Sequence, residues 1–278
     1  MSDSESSGAQ LMALAQVVAR GEVVVLTGAG VSTDSGIPAY RDEEGRWKQS
    51  APMQFRDFTG SESSRRRYWA RSMVGWARMA RAEPNEAHRA LSEMERRGLL
   101  RLLITQNVDG LHSLAGSENV VDLHGRLDRV VCLACKAASS RADLQARLEA
   151  ENPEFLGQSF ATRADGDVEL AVDYERFRLA ACATCGGVLK PDVVFFGENV
   201  PAARVERAMA SLQGARALVI AGSSLMVFSG FRFARAAARL GVPIAVVNLG
   251  KTRADELASL RLAGNVGELL RGALRAAS

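Results

Sequence analysis

Five blocks of mostly branched apolar residues punctuate the chain: "EVVVLTGAG" (22–30), "LRLLITQNVDG" (100–110), "NVVDLHG" (119–125), "ALVIAGSSL" (217–225) and "PIAVVNLG" (243–250). Most hold their apolar residues in succession rather than in alternation, the pattern of strands covered on both faces in a parallel sheet. Between several of them lie stretches with apolar residues at helical spacing, "NEAHRALSEMERRG" (85–98), "AARVERAMASLQG" (202–214) and "GFRFARAAARLG" (230–241). A further helix is expected over 9–20, stopped near Gly21. Strand, helix, strand in this order predicts an α/β fold built on a doubly wound, mostly parallel, Rossmann-like sheet.

The residues that follow each strand carry the chemistry. Gly28, Ala29 and Gly30 follow the first; Gln106, Asn107 and Asp109 the second; His124 and Gly125 the third; Gly222, Ser223 and Ser224 the fourth; Asn248 the fifth. In an open α/β sheet the ligand crevice lies outside the carboxyl ends of the strands, so five segments are expected to converge on one site.

The stretch after the first strand, "TGAGVSTDSGIPAYRDEEGRW" (27–47), suits a phosphate. Gly28 and Gly30 permit a tight turn and close backbone approach, and a helix starting nearby would aim free N–H groups at an anion. The dinucleotide fingerprint is incomplete, because position 33 is threonine and the next glycine is Gly36. A structural turn is the competing reading of the glycine pair. "GIPAYRDEEGRW" reads as an ordered flap in which Pro38 stiffens the chain, Tyr40 and Trp47 cover a ligand and Arg41 reaches a phosphate or ribose.

The four cysteines, Cys132, Cys135, Cys182 and Cys185, form two Cys-x-x-Cys pairs, "VCLAC" and "ACATCGG". Two such knuckles match a zinc ribbon in which one ion takes four thiolates, a closed and therefore structural site. Disulfides are the alternative, disfavoured in a cytosolic chain, and a redox pair would need only one motif. The pairs bracket a polar, weakly periodic segment, so residues 126–190 are expected to form a small zinc module inserted into the sheet domain of 1–125 and 191–278, with a flap and helical insertion over about 38–84.

With 278 residues, 47% of them hydrophobic and 24% charged, the chain can bury a full core. Thirty-five basic residues against 32 acidic give a net charge of +3, which demands neither a nucleic acid nor a membrane surface as partner. No apolar run approaches the ~20 residues of a membrane span. The polar opening "MSDSESSGAQ" lacks the features of a secretory or transit leader, so a cytoplasmic location is expected. Of the three histidines, His88 falls inside a helix and reads as packed or at the surface, and His112 follows a turn and stays open. His124 ends a buried strand at the crevice, where a neutral imidazole can meet a ligand; a structural role is the alternative.

Taken in order, "GAGVSTDSGIPAYR", "TQNVDGLH", "LHG", the two cysteine pairs, "PDVVFFGE", "GSSL" and "VVNLG" resemble the sirtuins, the NAD-dependent protein-lysine deacylases, over roughly residues 10–272. "RRRYWARSMVGWARM", "CLAC" and "LKPDVVFFGE" look most like the class II branch, which includes the mitochondrial lipoamidase-like sirtuin. In that family the acyl-lysine carbonyl oxygen attacks the ribose carbon that bears nicotinamide, nicotinamide leaves, and a histidine acts as general base on the ribose hydroxyls. The products are free lysine, nicotinamide and O-acyl-ADP-ribose. The resemblance gives His124 the role of base, for which an unshifted pKa near ~6.5 would serve, with Asn107 beside it in the catalytic set.

It further implies that Gly28, Ala29, Gly30 and Thr33 face the pyrophosphate, that the flap with Ile37, Pro38, Tyr40, Arg41 and Trp47 closes over NAD, and that Gln106, Asn107, Val108 and Asp109 hold ribose and nicotinamide. Gly222, Ser223, Ser224, Asn248, Leu249, Gly250 and Val266 would hold the adenosine half. Val194, Phe195, Phe196, Gly197 and Val227 would pair with the substrate backbone as an added strand. Core packing is the competing reading for Val194 and Phe196. The usual "GIPDFR" is here "GIPAYR", with Ala39 replacing an acid and Tyr40 a phenylalanine, a departure that bears on acyl preference. Tyr68 and Arg71, three apart on one face of an expected helix, resemble the Tyr-x-x-Arg pair by which some sirtuins bind succinyl or malonyl groups; a solvated face of a basic amphipathic helix is the alternative.

The expected cofactors are NAD and one structural Zn2+, and the expected partners are acyl-lysine proteins, with no specific nucleic acid or membrane and the chain acting as a monomer. Protein mono-ADP-ribosyl transfer, and a non-catalytic protein that senses NAD or binds through its zinc module, are the alternative functions.

Overall fold

The structure is a computed structural model that describes residues 3–40, 42, 44, 46, 48, 52–156 and 172–277, without the side chains of 3–7. Arg41 and Trp47 lie outside the described residues. Strands β1 (Val23–Thr27), β2 (Leu100–Thr105), β3 (Val120–Asp122), β4 (Gly125–Cys132), β5 (Ala138–Ser140), β6 (Leu189–Val193), β7 (Ala217–Ala221), β8 (Ile244–Val247) and β9 (Leu260–Leu262) form two sheets. The larger is parallel with the order β3-β2-β1-β7-β8-β9, the doubly wound order whose direction reverses beside β1. The smaller is antiparallel with the order β5-β4-β6, so Leu189–Val193 pairs with β4 rather than with the large sheet.

The helices are α1 (Asp3–Ala19), α2 (Phe55–Gly60), α3 (Glu62–Met79), α4 (Glu86–Arg96), α5 (Leu111–Leu114), α6 (Arg141–Glu151), α7 (Ala202–Leu212), α8 (Phe228–Arg239) and α9 (Val266–Ala276). Alternate residues of the central strands feed two cores, one on each face of the sheet. Val23, Val25, Leu103, Val219 and Val247 pack with Leu14 of α1, Leu91 and Met94 of α4 and Leu270 of α9. Val24, Leu26, Ile104, Leu218, Ile220 and Val246 pack with Leu212 of α7 and Phe233 and Ala237 of α8. Unbroken apolar runs follow from this double burial, since both strand faces need hydrocarbon.

A third core joins the small sheet to the helical insertion. Leu127, Val130, Leu189, Val193 and Phe195 pack against Phe58 of α2, Tyr68, Trp69 and Met73 of α3, and Leu144 and Leu148 of α6. Arg141, 1% exposed, is sandwiched here, its guanidinium carbon 5.5 Å from the Trp69 ring and 4.8 Å from that of Trp76. The cysteine module and the helices beside the groove therefore share one hydrophobic unit. Among the described residues no helix is long and apolar enough to cross a membrane.

Candidate active site

The carboxyl ends of the parallel strands open into one cavity of about 710 Å3, within the ~300–1,000 Å3 usual for small-molecule and cofactor sites. Gly28, Ala29, Gly30, Thr33, Tyr40, Gln106, Asn107, Val108, His124, Gly222, Ser223, Ser224, Asn248, Leu249, Gly250 and Val266 all line it. So do Tyr68, Val194, Phe195, Phe196, Gly197 and Val227. Among the described residues, four expected contacts do not line it. Ile37 is buried in the third core, and Pro38 faces a separate cavity against α3. Asp109 turns inward, accepting from Ser32 Oγ at 2.7 Å and from the Leu111 N–H at 2.9 Å. Arg71 is 4% exposed and has partners of its own within the protein.

The glycine loop takes its shape from the neighbouring strand. The Gly28 N–H donates to the Ala221 carbonyl at 3.2 Å and the Gly30 N–H to the Gly222 carbonyl at 2.8 Å. A Cβ on Gly30 would stand 2.9 Å from that carbonyl, and one on Gly28 2.7 Å from Ser223 Cβ. Two loops can approach this closely only without side chains between them. In place of the expected helix, the chain makes two short 3-10 turns, Ala29–Val31 and Thr33–Ser35. Leu225 on the facing loop sits in the left-handed region at φ 55, a conformation costing ~1–2 kcal/mol for a residue with a side chain, and it lines the cavity.

Below the cavity floor the polar residues hold one another. Gln106 Nε2 donates to Ser223 Oγ at 2.7 Å and to the Thr27 carbonyl at 3.2 Å. Asn107 Nδ2 donates to the Gly28 carbonyl at 3.1 Å and to Ser32 Oγ at 3.0 Å, and the Ser32 hydroxyl in turn donates a hydrogen bond to Asp109. Ser32 is thus a hub that sequence reading missed. His88 caps α4 and His112 bonds Thr27 Oγ1 at 3.0 Å, their rings 4.7 Å apart and buried. Both therefore support the floor rather than face a ligand. Burial raises the Asp109 carboxyl above its ordinary value.

His124 is built differently. Its Nδ1 lies 2.9 Å from the Gln106 carbonyl, which can only accept, so Nδ1 carries the proton. Its Nε2 is then a lone pair, accepting from the Ser229 hydroxyl at 2.7 Å on the cavity side. Ser229, in the first turn of α8, was not legible in the sequence. The backbone around the ring is equally fixed: the His124 carbonyl accepts from the Val194 N–H at 2.8 Å, and a Cβ on Gly125 (φ 83) would fall 1.9 Å from the Asp192 carbonyl oxygen. Burial lowers the His124 pKa to about 4, with the charges of Arg204 and Arg232 adding to the effect. The expected value near 6.5 is therefore corrected: the imidazole is a weaker base than the sequence implied, but it is neutral throughout the physiological range.

This has a consequence for stability. Desolvation lowers His88 to about 4 and His112 well below its ordinary value, so all three histidines bind protons more tightly in the unfolded chain. Their contribution is complete above pH ~6.5 and falls away as pH drops below it; for His88 and His124, lowered to about 4, the loss is on the order of a few kcal/mol each. The raised carboxyls of Asp109 and Asp122 act in the opposite sense just above pH 3.8 and partly offset the loss there. Denaturant midpoints are expected to fall steadily from pH 7 to 5; a flat profile would remove the histidines from the account.

The four cysteines converge at the other end of the small sheet. Their sulfurs all lie within 4.8 Å of one another, with Cys132 and Cys185 3.6 Å apart and Cys135 and Cys182 3.8 Å apart. A tetrahedron with bonds of ~2.3 Å spaces its sulfurs by ~3.8 Å, whereas a disulfide requires ~2.05 Å. Backbone N–H groups of Cys185 and Thr184 favour the Cys182 thiolate, lowering it to about 6. A Cβ on Gly187 would stand 3.0 Å from Cys132 Sγ, so the turn closes on the sulfurs only because that position is glycine. These residues fit one structural Zn2+, as the motif predicted.

With this geometry in view, the chain belongs to the Sir2 family, whose pattern matches residues 28–229. It is 56% identical over 247 residues to an NAD-dependent protein deacetylase of Xanthomonas campestris pv. campestris (strain 8004), covering 88% of this chain and 84% of that one. A solved Sir2 structure with a p53 peptide and NAD+ superposes with a TM-score of 0.72 at 29% identity, covering 91% of this chain and 92% of that one. Sir2Af2 bound to a myristoylated histone peptide gives 0.68 at 26% identity, with 97% of each chain covered.

Proposed function

We propose that this protein is an NAD-dependent protein-lysine deacylase that transfers the acyl group to ADP-ribose and releases nicotinamide. The observation that carries the reading is the neutral His124 imidazole, locked through Nδ1–H and presenting Nε2 to the cavity where the strand ends meet. Bound NAD supplies the electrophilic ribose carbon and nicotinamide as its leaving group. The glycine loop, Gln106, Asn107, Ser223 and Asn248 orient it, each already held by a neighbour at 2.7–3.2 Å. Nε2 is the atom that takes a proton from a sugar hydroxyl, and Ser229 holds that lone pair in line until then.

The acyl-lysine is placed between two lips, Val194–Gly197 and Val227 with Phe228, and its backbone adds to them as a strand. The first lip is braced from below: Lys190 Nζ meets Glu198 Oε2 at 3.1 Å, and that carboxylate accepts from the Phe195 N–H at 2.9 Å. The substrates are acyl-lysine proteins, and the finer placement in the class II, lipoamidase-like branch rests on the α3, "CLAC" and "LKPDVVFFGE" segments.

Acyl range follows from the wall. Tyr68 packs edge-on against Phe195 at 5.3 Å and Phe58 at 5.4 Å, and with Val108, Leu127 and Met53 it gives an apolar lining that suits acetyl and longer neutral chains. The myristoylated peptide bound by Sir2Af2 is consistent with a lining of this kind. Arg71 is not on this wall. On a panel of acetyl, succinyl, glutaryl and lipoyl peptides, the Arg71→Ala variant is expected to keep the wild-type ratio of succinyl to acetyl rates; a selective loss of succinyl turnover would restore the Tyr-x-x-Arg reading.

A further inference from the structure

Among the described residues the cavity carries one guanidinium, that of Arg232, whose hydrogen-bonding capacity neither the fold nor the reaction above employs, although its charge helps to keep His124 neutral. Arg232 lies on α8, three residues beyond the Ser229 that holds His124, and lines the same cavity. Its Nε is buried and has no hydrogen-bond partner, and its guanidinium carbon stands 5.5 Å from the ring of Phe228. Among the described residues no carboxylate pairs with it. The acids that line the cavity are already engaged: Asp34 accepts from Asn265 Nδ2 at 2.8 Å, Asp42 pairs with Arg46 at 3.0 Å and Glu198 with Lys190 at 3.1 Å. A buried donor without an acceptor is costly and is seldom retained without a purpose.

Its position narrows the choice of acceptor. Arg232 is half-buried, with Nε shielded, and lies against Phe228, which is 50% exposed and lines the same cavity, so a ligand meets the terminal nitrogens of the guanidinium from the cavity side. Asn199 and Val200, which follow the first lip, line the cavity too. A strand laid between the lips would carry the side chains flanking its acyl-lysine past this point.

We propose that Arg232 forms a subsite for an acidic side chain adjacent to the acylated lysine, which makes the protein selective for acyl-lysines in acidic sequence. The proposal rests on the deacylase reading, from which it takes the path of the peptide. The planar fork of the guanidinium suits a carboxylate held through two parallel hydrogen bonds, and stacking on Phe228 orients that fork in advance. Charge reversal at this position would exchange the preference rather than merely abolish it.

The test is a set of acetyl-lysine peptides in which alanine, glutamate or lysine occupies each of the three positions on either side of the acetyl-lysine, assayed with wild type and with Arg232→Gln, Arg232→Lys and Arg232→Glu. Wild type is expected to favour glutamate over alanine about tenfold in kcat/KM at one or two positions. Arg232→Gln should bring that ratio to about one, Arg232→Lys should restore part of it and Arg232→Glu should favour lysine. Because each ratio is taken within one variant, a general loss of activity cancels. The same ratios read as peptide dissociation constants by fluorescence anisotropy test the subsite without turnover, so that absent turnover speaks against deacylation and absent discrimination against the subsite. Three results would overturn the proposal: no acidic preference in wild type, a preference that survives Arg232→Gln, or an effect of Arg232→Gln confined to succinyl peptides or to the KM for NAD.

Discussion

Replacing His124 by alanine is expected to lower kcat/KM for an acetyl-lysine peptide by at least about a hundredfold, the lower end of what a positioned general base contributes. NAD should still bind, because the glycine loop and the side chains of Gln106 and Asn107 are fixed by bonds to Thr27, Gly28, Ser32, Ala221, Gly222 and Ser223, and of these segments the imidazole side chain bonds only the backbone carbonyl of Gln106, whose N–H stays held by the Thr27 carbonyl. Substrate should bind too, since the Val194 N–H is held by the backbone carbonyl of residue 124, which alanine keeps. The loss therefore belongs in kcat. The wild-type pH profile carries a second signature of the same residue. A histidine lowered to about 4 stays in its basic form as pH falls from 8 to 6, so kcat/KM of the free enzyme should show no downturn near 6.5. A clear break at 6.5 would mean that the ring is solvated and not held as described. A His124→Ala enzyme of near wild-type activity would remove the residue from the mechanism.

Loss of the metal should have the other large effect. Cys132 and Cys182 are buried and Cys135 and Cys185 exposed, so a chelator can reach the ion from the outer pair. Structural zinc sites supply ~10–16 kcal/mol of apparent folding free energy, far more than the packing of a small sheet can replace. The effect should not stay local, because Val130 and Leu189 beside the cysteines share a core with Tyr68 and Phe195 at the groove. Metal analysis should find one zinc per chain, and Cys182→Ser should find none, with a lower melting temperature and little deacylation although it lies far along the chain from His124. Full activity and an unchanged melting temperature after complete removal of zinc would contradict the shared core.

How far the sequence carried these conclusions differs from element to element. The apolar runs identified β1, β7, β8 and all but the exposed Arg101 of β2 because burial on both faces leaves no polar alternation; β3, a half-buried edge strand, was found by the same run of valines, and the polar ends of all five named the cavity. Strand β9 went unread: three residues, with Arg261 exposed between Leu260 and Leu262, are too short for a periodic signal. Helix α6 was lost in a segment that looked merely polar, since its burial is carried partly by Arg141 and Gln145, side chains that pattern reading assigns to solvent.

The site shows the same limit. Cysteine spacing sufficed to foresee the four-sulfur cluster that fits zinc, because two short turns leave little freedom in how four thiolates can meet. Tyr68 and Arg71 were rightly placed on one helical face, yet that face turns into the core, so only Tyr68 reaches the cavity. The glycine loop makes the close backbone approach expected of it but differs in form, because the Gly28 and Gly30 N–H groups bind the carbonyls of Ala221 and Gly222 and the backbone runs in 3-10 turns rather than a helix. Ser32 and Ser229 acquire their roles only from neighbours 77 and 105 residues away, contacts that no local pattern encodes, and Arg232 acquires its place only from the cavity that distant segments build around it. The lowered pKa of His124 is likewise a product of burial by the whole fold.

The most direct measurement is the product balance of a single reaction containing the protein, NAD and an acetyl-lysine peptide, followed by liquid chromatography and mass spectrometry. Equal amounts of nicotinamide, deacetylated peptide and O-acetyl-ADP-ribose are expected, all strongly reduced in His124→Ala. Nicotinamide formed while the peptide keeps its acetyl group, with ADP-ribose free or attached to protein, would contradict the account.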